Sequence, residues 1–569
     1  MQYFFIAPLL CLFIGQGLNC NYDRCADDAH RFFSPLNPDI ILVVLRRKLM
    51  KAYINCRIYK SEDTAFLIDG NEIIATGSDE TIRDMTASNV EVIDLNQMLV
   101  MPGFADTHMH LISLGRHLCS LRLDGTKSSG QLKDRLSRRA VQSEKGEWIL
   151  GRGYNEELFA DGIRPTKQLL DEVCPDNPVM IIRTCGHIAV INSKAMEEAG
   201  ITEETEVNGG AIHMDSGLLE ENAITYVREK MPKPDEKTVS RYIEEGMKYC
   251  NAHGITLIGS DDFRTLSEDY RDTLNLFEKL SYQEKLTVRV NEQCQFASPK
   301  EFASFLDDGY TFDVGNDFFR IGPLKLITDG SLGGRSAAML EDYKDDPGNR
   351  GMMVMDEEEI ETFVRLANRF NMPAIAHAIG DGAVETMLDI FEDTVYEGNP
   401  LHSGLVHCQI MSKDQMERII RMKLSCYIQP QFIDADAAVV EKRAGKQLAE
   451  TSYPFRTLFE NTLTSGGSDA PVELPDPLAA IRFACTRTSI HTSDTMNQDE
   501  CMNVEEAIEL MCDKGYEQFF MNDRYGKIAK GYMADFTVLD KDIRTMKPEE
   551  ITDTKVMMTV MDGRTVYER

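Results

Sequence analysis

His108 and His110, one residue apart in Met101-Pro-Gly-Phe-Ala-Asp-Thr-His-Met-His110, are the pair around which this 569-residue chain can do chemistry. In an extended strand, side chains two positions apart share a face, so both imidazoles reach one point in space. Neutral imidazole is the commonest protein ligand for a divalent transition metal. A lone His-x-His is a weak signal, and it gains weight only if other strands end in further ligands. They do. Apolar runs end in His377 (PAIAHAIGD), His407 (SGLVHCQ) and Asp469 (TSGGSDAP), and Lys325 lies inside another (GPLKLITDG), facing inward if Leu324 and Leu326 face out.

Each of these has a bland reading. A strand-end histidine is often satisfied in a core or loop, and Gly-Ser-Asp is often a turn or helix cap. Only 11 histidines are present, and four of them fall at the ends of three strand-like runs, which favours a metal site over coincidence. Lys325 is awkward there, because an ammonium beside a divalent cation is repelled and costly to desolvate. One resolution is reaction of its neutral amine with carbon dioxide, giving an anionic carbamate able to bridge two metals. The other is an ion pair with Asp329.

The elements that must position these groups alternate between strand and helix. Strand candidates after the one ending at His108 are 255–260, 287–291, 324–328, 374–377, 404–407, 425–429 and 465–469, with helical stretches such as 357–370 and 381–392 between them. Eight such units predict an α/β protein, a (β/α)8 barrel whose catalytic groups come from the C-terminal ends of the strands. Residues of about 111–253 exceed any ordinary connection and read as an insertion, with strands of its own near 179–183, that roofs the site. Residues 50–100 alternate as short strands, and so do 534–540, 555–561 and 565–567. The expected organisation is a barrel over 101–515 and a small β-sandwich from both termini, 50–100 and 516–569. Residues 1–49 read as a leader or a misassigned extension before Met50. Their apolar run is short for a membrane span, no Lys or Arg precedes it, and they stand outside the fold argument.

The formal net charge of -32 argues against nucleic acid or anionic lipid as a partner, and a solvated acidic surface is the plain explanation. Fourteen cysteines without a CxxC pair indicate neither a disulfide framework nor a cysteine zinc site, so a cytoplasmic setting is expected, or export if residues 1–20 are a true signal peptide.

Five stretches (MPGFADTHMH, CGHIAVINSKA, KLITDGSLGGRSA, HAIGDGAVETML and GSDAPVELPDPL) together resemble the amidohydrolase superfamily, in its branch of YtcJ-like hydrolases and N-substituted formamide deformylases. The resemblance runs from about Met50 to the C-terminus. It implies a distorted TIM barrel carrying a β-sandwich built from both termini, and a metal set of His108, His110, Lys325, His377, His407 and Asp469. It also implies zinc or a similar divalent ion, one or two per site, and makes a homodimer plausible.

In the binuclear version His108, His110 and Asp469 hold one ion, His377 and His407 the other, and carbamylated Lys325 bridges. In the mononuclear version His407 orients the water or carbonyl. Asp469, with Lys325 and His407, forms the expected catalytic group, Asp469 acting as base and then acid. His187 (in CGH), Arg335 and Asp381 are candidate substrate contacts. Gly333-Gly334 lacks a following Lys-Ser/Thr and is not a phosphate loop. Trp148 and Phe519-Phe520-Met521 read as packing. The expected activity is hydrolysis of an amide or formamide C–N bond in a small molecule. A deaminase or lactonase on the same site, or a silent barrel kept as a binding protein, are the alternatives.

Overall fold

The computed structural model describes residues 50–86, 90–184, 187–207, 209–265 and 269–569. The stretch expected to be a leader, 1–49, lies outside the described residues.

Eight parallel strands form the central sheet in chain order: Phe104–Met109, Ile255–Ser260, Arg289–Cys294, Phe319–Ile327, Ala374–Ala378, Gly404–His407, Ser425–Ile428 and Thr464–Gly466. The third begins two residues later than expected, and the eighth stops before Asp469. First and eighth strands share no ladder, yet they are tied together and nearly close the barrel. Thr107 Oγ1 donates to Gly466 O at 3.0 Å, Asp469 N–H to His108 O at 2.8 Å, His110 N–H to Ala470 O at 2.8 Å, and Ser468 N–H to Asp106 Oδ1 at 3.0 Å. The seam is so tight that a Cβ on Gly467 would stand 2.7 Å from His108 N, so only glycine fits.

The two-residue period of a strand then sorts chemistry from packing. Inside the barrel, Ala105, Leu257, Ile375, Val406 and Tyr427 pack on Tyr516 and Phe519, which plug the base. Two residues further along the same faces come His377 after Ile375 and Gln429 after Tyr427. Leu324 and Leu326 face the outer layer with the helices, so Lys325 between them points inward, as expected. The helices that cover the barrel are specified locally. In Glu357–Arg369, Asp356 accepts the N–H of Glu358, acids fill the first turn, and Ile360, Phe363, Val364 and Ala367 form one buried stripe.

The chain's two ends meet in a pair of sheets. Strand Leu99–Pro102 pairs antiparallel with Phe536–Leu539, and Tyr53, Phe66 and Phe536 pack ring to ring between the sheets at 4.9–5.1 Å. Between the first and second barrel strands, a six-stranded sheet that includes Val179–Arg183 carries its own core. That excursion leaves and returns on helices Leu111–Cys119 and Glu236–Ala252. A Cβ on Gly115 would collide with the Tyr242 carbonyl and one on Gly246 with Leu111, so the two backbones touch because both residues are glycine. No helix among the described residues is long and apolar enough to cross a membrane.

A buried ion pair fastens barrel to sandwich. Arg289, opening the third strand, donates to Asp535 Oδ1 at 3.0 Å, and both side chains are 1% exposed. Asp535→Ala would leave the buried guanidinium with only the more distant Asp562, at 3.6 Å, as counter-charge, a loss of up to about 3–5 kcal/mol. The urea midpoint of the full chain is expected to fall accordingly, and an unchanged midpoint would refute this account.

Candidate metal centre

Every candidate ligand stands at the C-terminal end of a barrel strand, and their side chains gather over the plug. His108, His110 and Asp469 each bring one ligand atom within 4.8 Å of the others. Asp469 Oδ1 is 3.2 Å from His110 Nε2 and 3.4 Å from His108 Nε2. The His407 ring lies 5.5 Å from that of His108 and 4.4 Å from that of His377. Val406 already faces the barrel interior, so simple alternation would send His407 outward. A positive φ of 82° at His407 turns it back in, and Asp469 is held at φ 57°. Non-glycine residues persist in that region only where their surroundings enforce it, and such strain concentrates at functional sites.

The second nitrogen of each imidazole decides what the first can do. His108 Nδ1 lies 2.6 Å from Gln293 Oε1, and the same amide donates through Nε2 to Thr107 O, which fixes its oxygen toward the ring. His407 Nδ1 lies 2.8 Å from Gln429 Oε1, whose Nε2 donates to Tyr427 O. His110 Nδ1 faces Asp261 O at 2.7 Å and His377 Nδ1 faces Asp329 Oδ1 at 2.8 Å. All four accepting atoms are oxygens without a hydrogen, so all four Nδ1 atoms carry the hydrogen and each Nε2 is left for another partner, which for His108 and His110 is Asp469. This is the arrangement by which outer groups orient metal-binding imidazoles.

The charges of the site follow. Burial, then the Lys325 charge, pushes His108 well below the ordinary imidazole range, and burial with His377 does the same to His407. Burial works against protonation of His110 too, but the hydrogen bond to Asp469 and the Asp261 charge raise it to about 9. Burial would raise the Asp469 carboxyl, yet the bond from His110 holds it below the usual carboxylate range. Both shifts favour an Nε2–H of His110 donating to an ionised Asp469 at 3.2 Å.

Lys325 is 1% exposed, and its Nζ has no hydrogen-bond partner. Burial lowers its pKa, against the opposing pull of Asp261, whose Oδ2 stands 3.9 Å away, beyond hydrogen-bond reach. Asp329, the other partner considered for Lys325, is filled by His377 and by the N–H groups of Ala338, Ile379 and Gly380. An orphaned buried amine beside convergent imidazole nitrogens and a carboxylate is a donor set that fits a divalent ion.

The three candidate substrate residues are engaged with the protein itself. His187 is exposed, with Nδ1 2.9 Å from Glu221, while Cys185 and Gly186 of its motif lie outside the described residues. Arg335 pairs with Asp345 at 2.8 Å, and Asp381 accepts the Leu340 N–H at 3.0 Å. Sequence reasoning missed Gln293, Gln429 and Asp261. The one available signal was a polar residue at a strand end in the same register as the histidines. Beside the centre, the Phe432 ring lies nearly parallel to His407 at 6.1 Å and gives the site one apolar wall.

Comparison with known proteins bears on the chain as a whole. The profile of a family described as the amidohydrolase family matches residues 91–567. The candidate amidohydrolase YtcJ of Bacillus subtilis (strain 168) is 32% identical over 515 residues, covering 89% of this chain and 96% of YtcJ. The N-substituted formamide deformylase of Arthrobacter pascens is 22% identical over 547 residues, 92% of this chain and 99% of that enzyme. The crystal structure of an uncharacterized metal-dependent hydrolase from Pyrococcus horikoshii OT3 superposes with a TM-score of 0.73 at 27% identity, covering 88% of this chain and 99% of the other.

Gln429→Ala removes the acceptor that holds the His407 ring, and Gln293→Ala does the same to His108. Either variant is expected to stay folded by circular dichroism and to lose metal affinity by about 10–100-fold. Metal analysis after dialysis against a competing chelator reads this, and wild-type retention in both would mean that the glutamines do not orient the ligands.

Proposed function

The chain belongs to the amidohydrolase family, whose members are metal-dependent hydrolases, and from that membership we propose that it hydrolyses a non-peptide C–N bond, in an amide or N-substituted formamide of a small molecule. The observation that carries this reading is the set of four imidazoles whose Nδ1 atoms all face acceptors, two of them, His108 and His110, with Nε2 at 3.4 and 3.2 Å from Asp469, in a site that also holds the orphaned Lys325 amine. His108, His110 and Asp469 would hold one divalent ion, and His377, His407 and Lys325 would complete the site or hold a second. Nitrogen and oxygen donors in this mixture suit zinc. Bound there, the ion brings the pKa of water toward neutrality and polarises the scissile carbonyl.

The remaining steps belong to the chain's own groups. Asp469, kept ionised, accepts the proton of the attacking water and delivers it to the amine nitrogen as the C–N bond breaks. Lys325, whose pKa burial lowers, would attack carbon dioxide through Nζ in its neutral amine form. An N–C bond forms, one proton leaves, and the resulting carbamate gives the amine the partners it lacks. His407, fixed by Gln429, orients the carbonyl, and Phe432 takes an apolar part of the substrate. His187, Arg335 and Asp381 are the proposed contacts for polar substrate ends, with Arg335 exchanging Asp345 for a substrate carboxylate. Unpaired cysteines among the described residues fit a reducing, cytoplasmic setting.

The test is a panel of N-formyl and N-acyl amines assayed for release of amine by the metal-loaded chain. Asp469→Asn is expected to keep the fold and to lower kcat by about 10²–10⁴-fold. Chelation abolishes turnover and zinc restores it. Amine release by the variant at the wild-type rate would remove Asp469 as the proton carrier. Opening of lactones with no C–N cleavage anywhere in the panel would overturn the substrate class.

A further inference from the structure

A second cleft plays no part in that chemistry. It has a volume of about 510 Å³ and is lined by Arg122, Arg135, Arg138, Arg139 and Arg241. Helix Leu111–Cys119 starts directly after His110 and reaches this cleft with its last residues, Leu118 and Cys119. Nine residues at a rise of 1.5 Å put the two places on the order of 13 Å apart.

The charge here is the reverse of the chain's balance. Against 61 lysines and arginines stand 93 carboxylates overall, yet five guanidinium groups face one cleft. Their local counter-charges are few. Arg139 and Arg241 reach for the same Glu147 oxygen, at 3.7 and 3.5 Å. Arg122 meets Asp124 at 3.4 Å, and Glu245 on the rim is paired with Lys248. Arg135 donates only to the carbonyls of Arg122 and Asp124, at 2.9 Å each, which fixes its guanidinium without neutralising it. Arg138 has no carboxylate partner among the described residues. Two helix C-termini at the cleft add about half a negative charge each, which leaves a positive surplus.

The backbone compounds this repulsion. Arg135, Arg138 and Arg139 fall at i, i+3 and i+4 on helix Ser129–Gln142, and so share one face. Arg122 lies in register with Arg152 on the adjacent parallel strand, where like charges oppose one another. Each arrangement is unfavourable unless an anion offsets it.

We propose that this cleft is a binding site for a small phosphate-bearing anion, separate from the metal centre. Guanidinium forks arriving from two helices and a strand match a phosphate, which presents several acceptor oxygens in different directions. The volume is that of a small-molecule site. A nucleic acid would have to lie across a surface of net charge -32, which repels a polyanion.

The experiment is calorimetric titration of the full, metal-loaded chain at physiological salt with orthophosphate, inorganic tripolyphosphate and ADP, and in parallel with a short single-stranded RNA. Saturable binding of tripolyphosphate or ADP is expected. Arg138→Glu should weaken it about tenfold or more while leaving basal hydrolysis and the circular dichroism spectrum unchanged. Should that variant fail to fold, Arg138→Gln is expected to weaken binding in the same direction. ADP binding more tightly than tripolyphosphate identifies an organic phosphate as the ligand, and equal or weaker binding identifies the phosphate chain alone. Absence of saturation at millimolar concentration, affinity unaltered by either substitution, or saturation by RNA alone would overturn the proposal. None of these outcomes bears on the amide reading, which the amine-release panel tests independently.

Discussion

A neutral imidazole has one hydrogen and one lone pair, and it can offer the lone pair inward only if the hydrogen has somewhere to go. The centre of this molecule depends on that condition being met four times. Gln293, Gln429, the Asp261 carbonyl and Asp329 each take one Nδ1–H on an oxygen that has no hydrogen to give in return. Two are glutamines held by barrel carbonyls, so the orientation of the ligands is inherited from the backbone of the barrel itself.

That backbone is in turn fixed at its seam. The eighth strand is too short to ladder with the first, and individual bonds across Thr107, His108, His110 and Asp106 replace the ladder. The same crossing sets Asp469 against His108 and His110, so closing the barrel and assembling the site are one event. Below, Tyr516 and Phe519 fill the cylinder from the C-terminal part of the chain. The Arg289–Asp535 pair ties the third strand to the sheet that both termini build.

Much of this was legible in the sequence because it follows a period. Residues two apart on a strand share a face, so His108 with His110 and the inward turn of Lys325 could be read from alternation alone. What escaped obeys no period. A glutamine at a strand end has no signature, and Asp261 orients His110 through its carbonyl, which any residue possesses. His407 contradicts alternation and depends on a positive φ that no composition announces. Asp469 lies beyond its strand, in the crossing to the first. The arginine cleft needed the fold as well. One helix shows three of its members, but Arg122 and Arg241 come from a strand and from a helix about a hundred residues later. Arg335 and Asp381 are candidate substrate contacts by sequence, and in the structure each also has a partner in its own chain.

Glycine-to-backbone contact between Leu111–Cys119 and Glu236–Ala252 has a consequence for how such a protein changes over time. The long excursion departs and comes home on two helices pressed side by side, so its ends are neighbours whatever lies between them. A segment clamped in this way behaves as a cassette. It can be lengthened, traded or rebuilt to meet different molecules while the cylinder and its ligands stay as they are. New specificity would then arise by exchange at a single point of attachment.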